Sequence, residues 1–420
     1  MPYVAHAGIL RRRSAEGKRP AVVSGGGGPG GSRTRPGDGG ARPLPVQRHL
    51  FDIPADVAYF NCASLAPHLT AARRAGEAAL RRRAQPWLIR GDDWFAEAEE
   101  RRGLFARLAG VDAEGVALVP ATSYGLAVAA ANLSAWPGQR VLVLAEDYPS
   151  NLYTWRSFAR RTGATVAAVA RRDGRSWADA VLDELDERTA VVALMAVHWT
   201  DGAVVDLAAV AARARAVGAA VVVDASQALG AMPLDLAAVE PDYLVTVGYK
   251  WLLGPFALGY LYVAEQHRDG DPLEENWISR LGSEDLSGLT VYEDRYRPGA
   301  RRFDVGQRTH FETTPMAVAA LRQVLDWGVP RIAVTLARLT GRLESELRAL
   351  GLEVTSPDHG PHMLGVRLPA AARQRVPGAL AEAGVFAALR GGSLRISPHL
   401  WTTGQDVDRL VGALAGALAR

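Results

Sequence analysis

A carboxylate and an amine, each at the end of an apolar run, are the residues in this chain best placed to do chemistry. Val221–Val223 is a β-branched run that ends in Asp224, and Tyr243–Val247 leads through Gly248 and Tyr249 to Lys250. A third apolar run, Leu258–Val263, is entered through Gly254 and Pro255. Short apolar runs with turn signals between them predict buried strands of an α/β sheet. Ligands of such sheets gather at the carboxyl ends of the strands, so Asp224 and Lys250 are expected to face one pocket. A buried ion pair or two solvated loop ends would use the same residues, because a core does not tolerate either charge unpaired. A second candidate is Ala121-Thr122-Ser123-Tyr124-Gly125, between the apolar run Val116–Pro120 and an apolar helix reaching Leu133. Free amides and the dipole at a helix N-terminus favour an anion such as phosphate, and hydroxyls add donors. The same Thr and Ser would also serve as a plain N-cap.

The elements around these residues alternate. Strands are expected at Arg140–Ala145, Val166–Val169 and Ala190–Val197, and helices at Thr154–Thr162, Trp177–Leu185 and Leu207–Val217. Thr70–Arg83 and Trp94–Leu108 carry helical spacing ahead of them. This repetition predicts a mostly parallel sheet covered on both faces. Asp269–Gly306 dissolves into polar loops. Long helices follow at Pro315–Trp327 and Val329–Leu350, then short strands at Val354, Leu364–Leu368 and Leu394–Ser397, with helices at Pro377–Ala383 and Asp406–Leu418. That pattern reads as a smaller α+β domain after a large α/β domain, with the division placed at 49–300 and 301–420. Neither GxGxxG nor a Walker A sequence is present.

Composition narrows the classes. The net charge of +3 conceals an asymmetry, since residues 1–50 hold nine bases and two acids while the remainder holds 39 bases and 43 acids. Nucleic-acid binding by the folded part is therefore not expected. No apolar run approaches the roughly 20 residues of a membrane-spanning helix. One cysteine, Cys62, excludes an internal disulfide, and the nine histidines show no metal-ligand spacing. These features suit a reducing cytoplasm. Residues 1–48, rich in glycine and arginine, read as a disordered extension. A transit peptide or a start codon placed too far upstream fits the same composition.

The order of the motifs resembles the class V aminotransferase group of pyridoxal-phosphate enzymes, which includes cysteine desulfurases, selenocysteine lyases, kynureninases and isopenicillin N epimerase. The resemblance runs from Phe51 to Arg420 and rests on DASQ, the 26-residue step from Asp224 to Lys250, and GYKWLLGP. It implies fold type I, with a seven-stranded sheet, and pyridoxal 5′-phosphate as cofactor. Lys250 would form the Schiff base with the cofactor aldehyde and move the substrate's α-proton. Asp224 would keep the pyridine nitrogen protonated. Gln227 matches the position that contacts the ring hydroxyl, and Tyr148 the position of a ring stacked on the cofactor, where desulfurases carry histidine. Thr122 and Ser123 then become a phosphate cradle. Tyr249 resembles the kynureninase tyrosine that meets the phosphate, and Val247 stands where desulfurases have a phosphate-binding serine. RRFDVGQR resembles the segment that reaches the partner subunit's cofactor, which makes Gln307 a shared-site residue and implies a homodimer. Arg395, in SLRISPHLWTT, matches the arginine that clamps the α-carboxylate.

The reaction type depends on departures from that pattern. Persulfide-forming desulfurases need a cysteine on the loop before the carboxylate-binding arginine, and here Leu389-Arg390-Gly391-Gly392-Ser393-Leu394 has none. Cys62 lies in an N-terminal loop with Asn61. That loop is expected to line the pocket, with Asn61 toward the substrate and Cys62 as a small buried thiol. His198 and Trp199 replace the family's Ser-Asn pair and would shape the substrate pocket, core packing being the other reading of Trp199. The leading expectation is an amino-acid lyase that expels a β-substituent, of C–S lyase type, without a protein thiol. An epimerase or an aminotransferase shares the first steps. A cofactor-binding interaction protein without catalysis is the reading from another class, and the intact Lys250, Asp224 and Arg395 argue against it.

Overall fold

The computed structural model of the protein describes residues 40–171 and 174–419. The segment before residue 40, most of what composition assigns to a disordered extension, lies outside the described residues. Residues 40–48 belong to the folded body. The Leu44 amide donates to Thr335 Oγ1 at 2.8 Å, the Gln47 amide to the Leu400 carbonyl at 2.8 Å, and Arg48 pairs with Asp406 at 2.9 Å.

The elements run in the order β1 (Ala58–Tyr59), α1 (Thr70–Arg83), α2 (Ala96–Ala109), β2 (Val116–Val119), α3 (Thr122–Asn132), β3 (Arg140–Leu144), α4 (Pro149–Thr162), β4 (Thr165–Val169), α5 (Trp177–Glu184), β5 (Thr189–Met195), α6 (Leu207–Ala216), β6 (Ala220–Asp224), α7 (Leu236–Val239), β7 (Tyr243–Val247) and β8 (Gly259–Val263). After a long irregular stretch come α8 (Thr314–Trp327), α9 (Val329–Ala349), β9 (Glu353–Val354), β10 (Leu364–Arg367), α10 (Val376–Glu382), β11 (Val385–Phe386), β12 (Ala388–Arg390), β13 (Ser393–Ile396) and α11 (Gly404–Ala419). Strands β2 to β8 form one seven-stranded sheet in the order β2-β8-β7-β6-β5-β3-β4, parallel except at β8, which is antiparallel to both neighbours. The α/β class and the mostly parallel sheet expected from the alternating pattern are what the chain adopts.

Each buried strand feeds two cores, because successive side chains point to opposite faces. Leu142, Leu144, Val221 and Val223 pack toward α2, α5, α6 and α8. Val141, Val143 and Val222 pack toward α3 and α4. A third core joins β10 and β13 to α9, α10 and α11, and takes in Ala58 and Phe60 from the N-terminal segment. Helix α8 follows the 300/301 division drawn from sequence, yet its Val318, Leu321 and Val324 pack in the first core with α1 and α2.

Two local differences from the expected pattern matter below. Helix α4 begins at Pro149 and not near Thr154, since proline at the first helical position has its φ preset and lacks only an amide that would be unbonded there anyway. The stretch Leu389–Leu394 is a tight hairpin and not a loop. Strands β12 and β13 pair Arg390 with Ser393, and Gly391 turns the chain at φ +56°.

Candidate active site

The carboxyl ends of β6 and β7 bring the opening pair together. Asp224 is the last residue of β6, flanked in register by Met195 of β5 and Val245 of β7. Lys250 follows β7 by three residues, on a turn closed by the Gly254 amide donating to the Gly248 carbonyl at 2.8 Å. Gly248 has no alternative there, because a Cβ on it would lie 2.7 Å from the Leu258 carbonyl oxygen. Both charges line one cavity, together with Gln227, Thr122, Tyr148 and Tyr249. The Lys250 ammonium lies 5.6 Å from the centre of the Tyr148 ring and 5.8 Å from that of Tyr249.

Burial sets the charge state of the pair. Desolvation lowers the Lys250 pKa to about 8, with Arg395 and Arg390 pushing the same way and Asp224 opposing. Desolvation raises the Asp224 pKa, and bonds from Ser226 and the nearby Lys250 charge hold it down. The Ser226 amide donates to Asp224 Oδ1 at 2.8 Å. A neutral amine is the reactive form. The rate at which cofactor-free protein takes up pyridoxal phosphate should therefore rise with pH through a midpoint near 8. A rate followed by absorbance that stayed flat to a midpoint above pH 10, the ordinary lysine range, would contradict this electrostatic picture.

The remaining candidates divide. Thr122 is the first residue of α3, whose N-terminus carries no side-chain cap, and its hydroxyl lies 3.4 Å from that of Ser226. Ser123 is exposed and is not among the cavity residues. Tyr148 occupies the N-cap position of α4 without a side-chain cap bond, and its ring meets Trp199 edge-on at 5.5 Å. Trp199 also lines the cavity, held by its indole N–H on the Glu146 carbonyl at 2.7 Å. Gln227 is tethered at both ends of its amide, donating to the Ala63 carbonyl at 3.0 Å and accepting from the Trp251 indole at 2.8 Å. Arg395, on β13, donates to Ser64 Oγ at 2.6 Å and to the Trp199 carbonyl at 2.8 Å.

Besides Ser123 and Arg395, three more candidates lie outside the cavity lining. His198 does not line the cavity. Its ring stacks on Trp177 at 4.9 Å, and its nitrogens meet Thr200 Oγ1 at 2.9 Å and the Ala145 carbonyl at 3.2 Å. Asn61 bridges to Ser397 and leaves its Oδ1 buried without a partner. Gln307 is exposed in a different recess, beside Trp94, Trp277 and His310. Ser226, Met195 and Val197 line the cavity and were not singled out from sequence. Ser226 could have been, as the hydroxyl inside DASQ; Met195 and Val197 look like any other strand residue.

Pyridoxal phosphate asks a site for an amine, an acid for the ring nitrogen, an aromatic or apolar face and hydroxyl or amide donors for phosphate. Lys250, Asp224, Tyr148 and the uncapped start of α3 with Thr122 and Ser226 meet those demands in one cavity, so the residues present fit the cofactor. Comparison with known proteins agrees. The chain is 30% identical to a kynureninase from Deinococcus radiodurans over 302 residues, 68% of each chain. It is 27% identical to isopenicillin N epimerase from Streptomyces clavuligerus over 347 residues, 75% of this chain and 83% of that one. Two solved structures of C-DES, a cystine C–S lyase, superpose with TM-scores of 0.79 and 0.78 at 20% identity. They cover 88% and 86% of this chain and 98% of theirs, and one holds glycine covalently linked to its pyridoxal-phosphate cofactor. The sequence profile described as aminotransferase class-V matches residues 90–410, and with the sheet and the cavity already in place the chain belongs to that family, as a pyridoxal-phosphate enzyme.

Proposed function

We propose that the enzyme acts on an α-amino acid and releases a sulfur-bearing substituent from its β-carbon, without a persulfide on the protein. The observation that supports this is the hairpin β12–β13, whose Arg395 donates to the carbonyl of the cavity residue Trp199 at 2.8 Å and whose two-residue turn holds no cysteine and no room for a mobile thiol. The cofactor supplies an electron sink for the carbanion formed at the α-carbon. The chain supplies the rest. Arg395 offers an α-carboxylate its guanidinium, with Ser64 fixing one arm. Lys250 takes the α-proton, and its lowered pKa puts neutral amine within reach of physiological pH. Tyr148 and Trp199 form an aromatic wall of the cavity.

Incubating the pure enzyme with cysteine, cystine and related S-substituted amino acids should release pyruvate and ammonia. A keto acid without ammonia, or loss of optical activity alone, would replace this reading. The likeness to isopenicillin N epimerase and a tyrosine facing Lys250 across the cavity support epimerisation as the second reading. A homodimer with shared sites remains part of the proposal. It is supported by Gln307 lying outside this chain's own cavity and by exposed Trp87, Leu88, Val291 and Tyr292. No helix among the described residues is long and apolar enough to cross a membrane, and a cytoplasmic setting is proposed on the cysteine usage.

Cys62 supplies a direct check. It is fully buried, its amide donates to the Ser397 carbonyl at 3.1 Å, and burial pushes its pKa well up. Such a thiol packs and is not a nucleophile. Cys62→Ala should keep turnover within about threefold and cost about 1 kcal/mol of stability. A hundredfold loss of turnover in a folded variant would restore the protein thiol to the mechanism.

A further inference from the structure

Several arginines withdrawn from water in this fold meet carboxylates. Arg102 faces Asp304 at 2.7 Å and Glu99 at 3.0 Å, Arg301 faces Glu99 and Glu114, and Arg171 faces Asp201 at 3.1 Å. The hairpin beside the active site departs from that arrangement. Arg390 ends β12 opposite Ser393, and Arg395 stands two residues beyond Ser393 on β13. Residues in that relation lie diagonally on the same face of a sheet, within reach of long side chains. Their guanidinium groups converge on one hydroxyl, with Ser64 Oγ receiving Arg395 Nη2 at 2.6 Å and Arg390 Nη2 at 3.1 Å. Among the described residues neither arginine pairs with a carboxylate, and Arg395 Nε is buried with no partner. The Arg390 guanidinium lies 6.0 Å from the centre of the Trp199 ring, whose indole forms a wall of the cofactor cavity.

Two like charges gathered on one neutral oxygen repel each other, and desolvation makes that repulsion larger than in water. One guanidinium is enough for the α-carboxylate of an amino acid. The second has no task in that reading. We infer that the substrate is an α-amino acid with a second carboxylate on its side chain, Arg395 taking the α-carboxylate and Arg390 the distal one. This rests on the reading of the site as one for amino acids and adds the charge of the side chain. For the lyase reaction it means that the departing sulfur substituent carries the second carboxylate. Selectivity follows from the same pair, since a substrate with an uncharged side chain leaves Arg390 without a counter-ion in a partly dry site.

Calorimetric titration of the cofactor-loaded enzyme with unreactive acids tests this. Succinate, glutarate and adipate are compared with butyrate, pentanoate and hexanoate, each diacid against the monoacid of equal length. The wild type should bind the best-fitting diacid about tenfold tighter or more than its monoacid, a difference of about 1.4 kcal/mol. In Arg390→Gln the ratio should fall to near one, in Arg390→Lys it should fall part of the way, and in Arg395→Gln both acids should weaken. Thermal melting of each loaded variant verifies that it is folded. A wild-type ratio near one at every length, no measurable binding of any acid, or a preference that persists in Arg390→Gln overturns the inference. The enzyme reading fails separately: amino acids would then leave the absorbance of the bound cofactor unchanged. A protein whose cofactor responds to amino acids but which shows no diacid preference loses only the second carboxylate.

Discussion

Replacing Lys250 with alanine should lower turnover by roughly 10³-fold or more, since the group removed both anchors the cofactor and carries the α-proton. The variant should also lose the absorbance of covalently held cofactor while still binding pyridoxal phosphate reversibly, because Asp224, Tyr148 and the start of α3 are untouched. A second consequence concerns the cofactor-free protein. The Lys250 pKa is lowered from 10.5 to about 8 by burial. Between those values the unfolded chain binds more protons than the folded one, so folded-state stability rises with pH across that window. Below pH 8 both states carry the charge and the full cost of burying it is present, on the order of 3 kcal/mol. Wild-type stability measured against the alanine variant should therefore climb between pH 8 and 10.5 and be flat below. Spectra identical to the wild type, or more than a tenth of its turnover, would remove Lys250 from the chemistry.

What could be read from sequence followed from how local each signal was. Asp224 and Lys250 stand out because an apolar run that ends in a charge is a local pattern, and the sheet then places both ends in one cavity. The buried strands of the large sheet were legible for the same reason, their largely apolar runs being continuous. The pair β1–β11 was not, because two residues on each side carry no periodicity and their pairing is decided by chain segments more than 300 residues apart. Residues of the cavity wall that are simply apolar, Met195 and Val197, give no signal of function at all. His198 shows the opposite failure. A histidine beside the predicted pocket looks chemical, but Trp177 and two oxygen partners hold its ring away from the cavity. Gln227 is intermediate, lining the cavity while its amide ties the loop at Ala63 to Trp251.

Asp304, inside RRFDVGQR, should prove the largest single contributor to stability in that motif. Sequence assigns the segment to a shared site through Gln307, and the geometry gives Asp304 a different task. Its side chain is fully withdrawn from water. Oδ1 accepts from the Leu118 amide on β2 at 2.7 Å and from Arg102 Nη1 at 3.1 Å, and Oδ2 accepts from Arg102 Nη2 at 2.7 Å. Arg308 Nε lies 3.0 Å from Oδ2 as an ion pair, with Glu99 more distant at 3.8 Å. The Val305 amide donates to the Leu118 carbonyl at 3.0 Å, so the acid pins residues 304–308 to the edge strand of the large sheet. Arg101 is buried close by and sends one donor to the Arg308 carbonyl at 3.4 Å. With so many guanidinium groups gathered here, Asp304 is the one fully buried anion between Arg102 and Arg308. Asp304→Asn keeps the volume, removes that charge and turns an amide N–H₂ toward arginine donors. Breaking a buried pair from one side costs about 3–5 kcal/mol, because the partner stays behind uncompensated. Urea titration of the cofactor-loaded protein should show a loss of that order, with Arg308→Met in the same background recovering part of it, since Arg102 keeps Glu99 at 3.0 Å while Arg308 is left with Glu99 only at 3.8 Å. A folded Asp304→Asn protein within 1 kcal/mol of the wild type would mean that solvent or a partner chain supplies the missing anion.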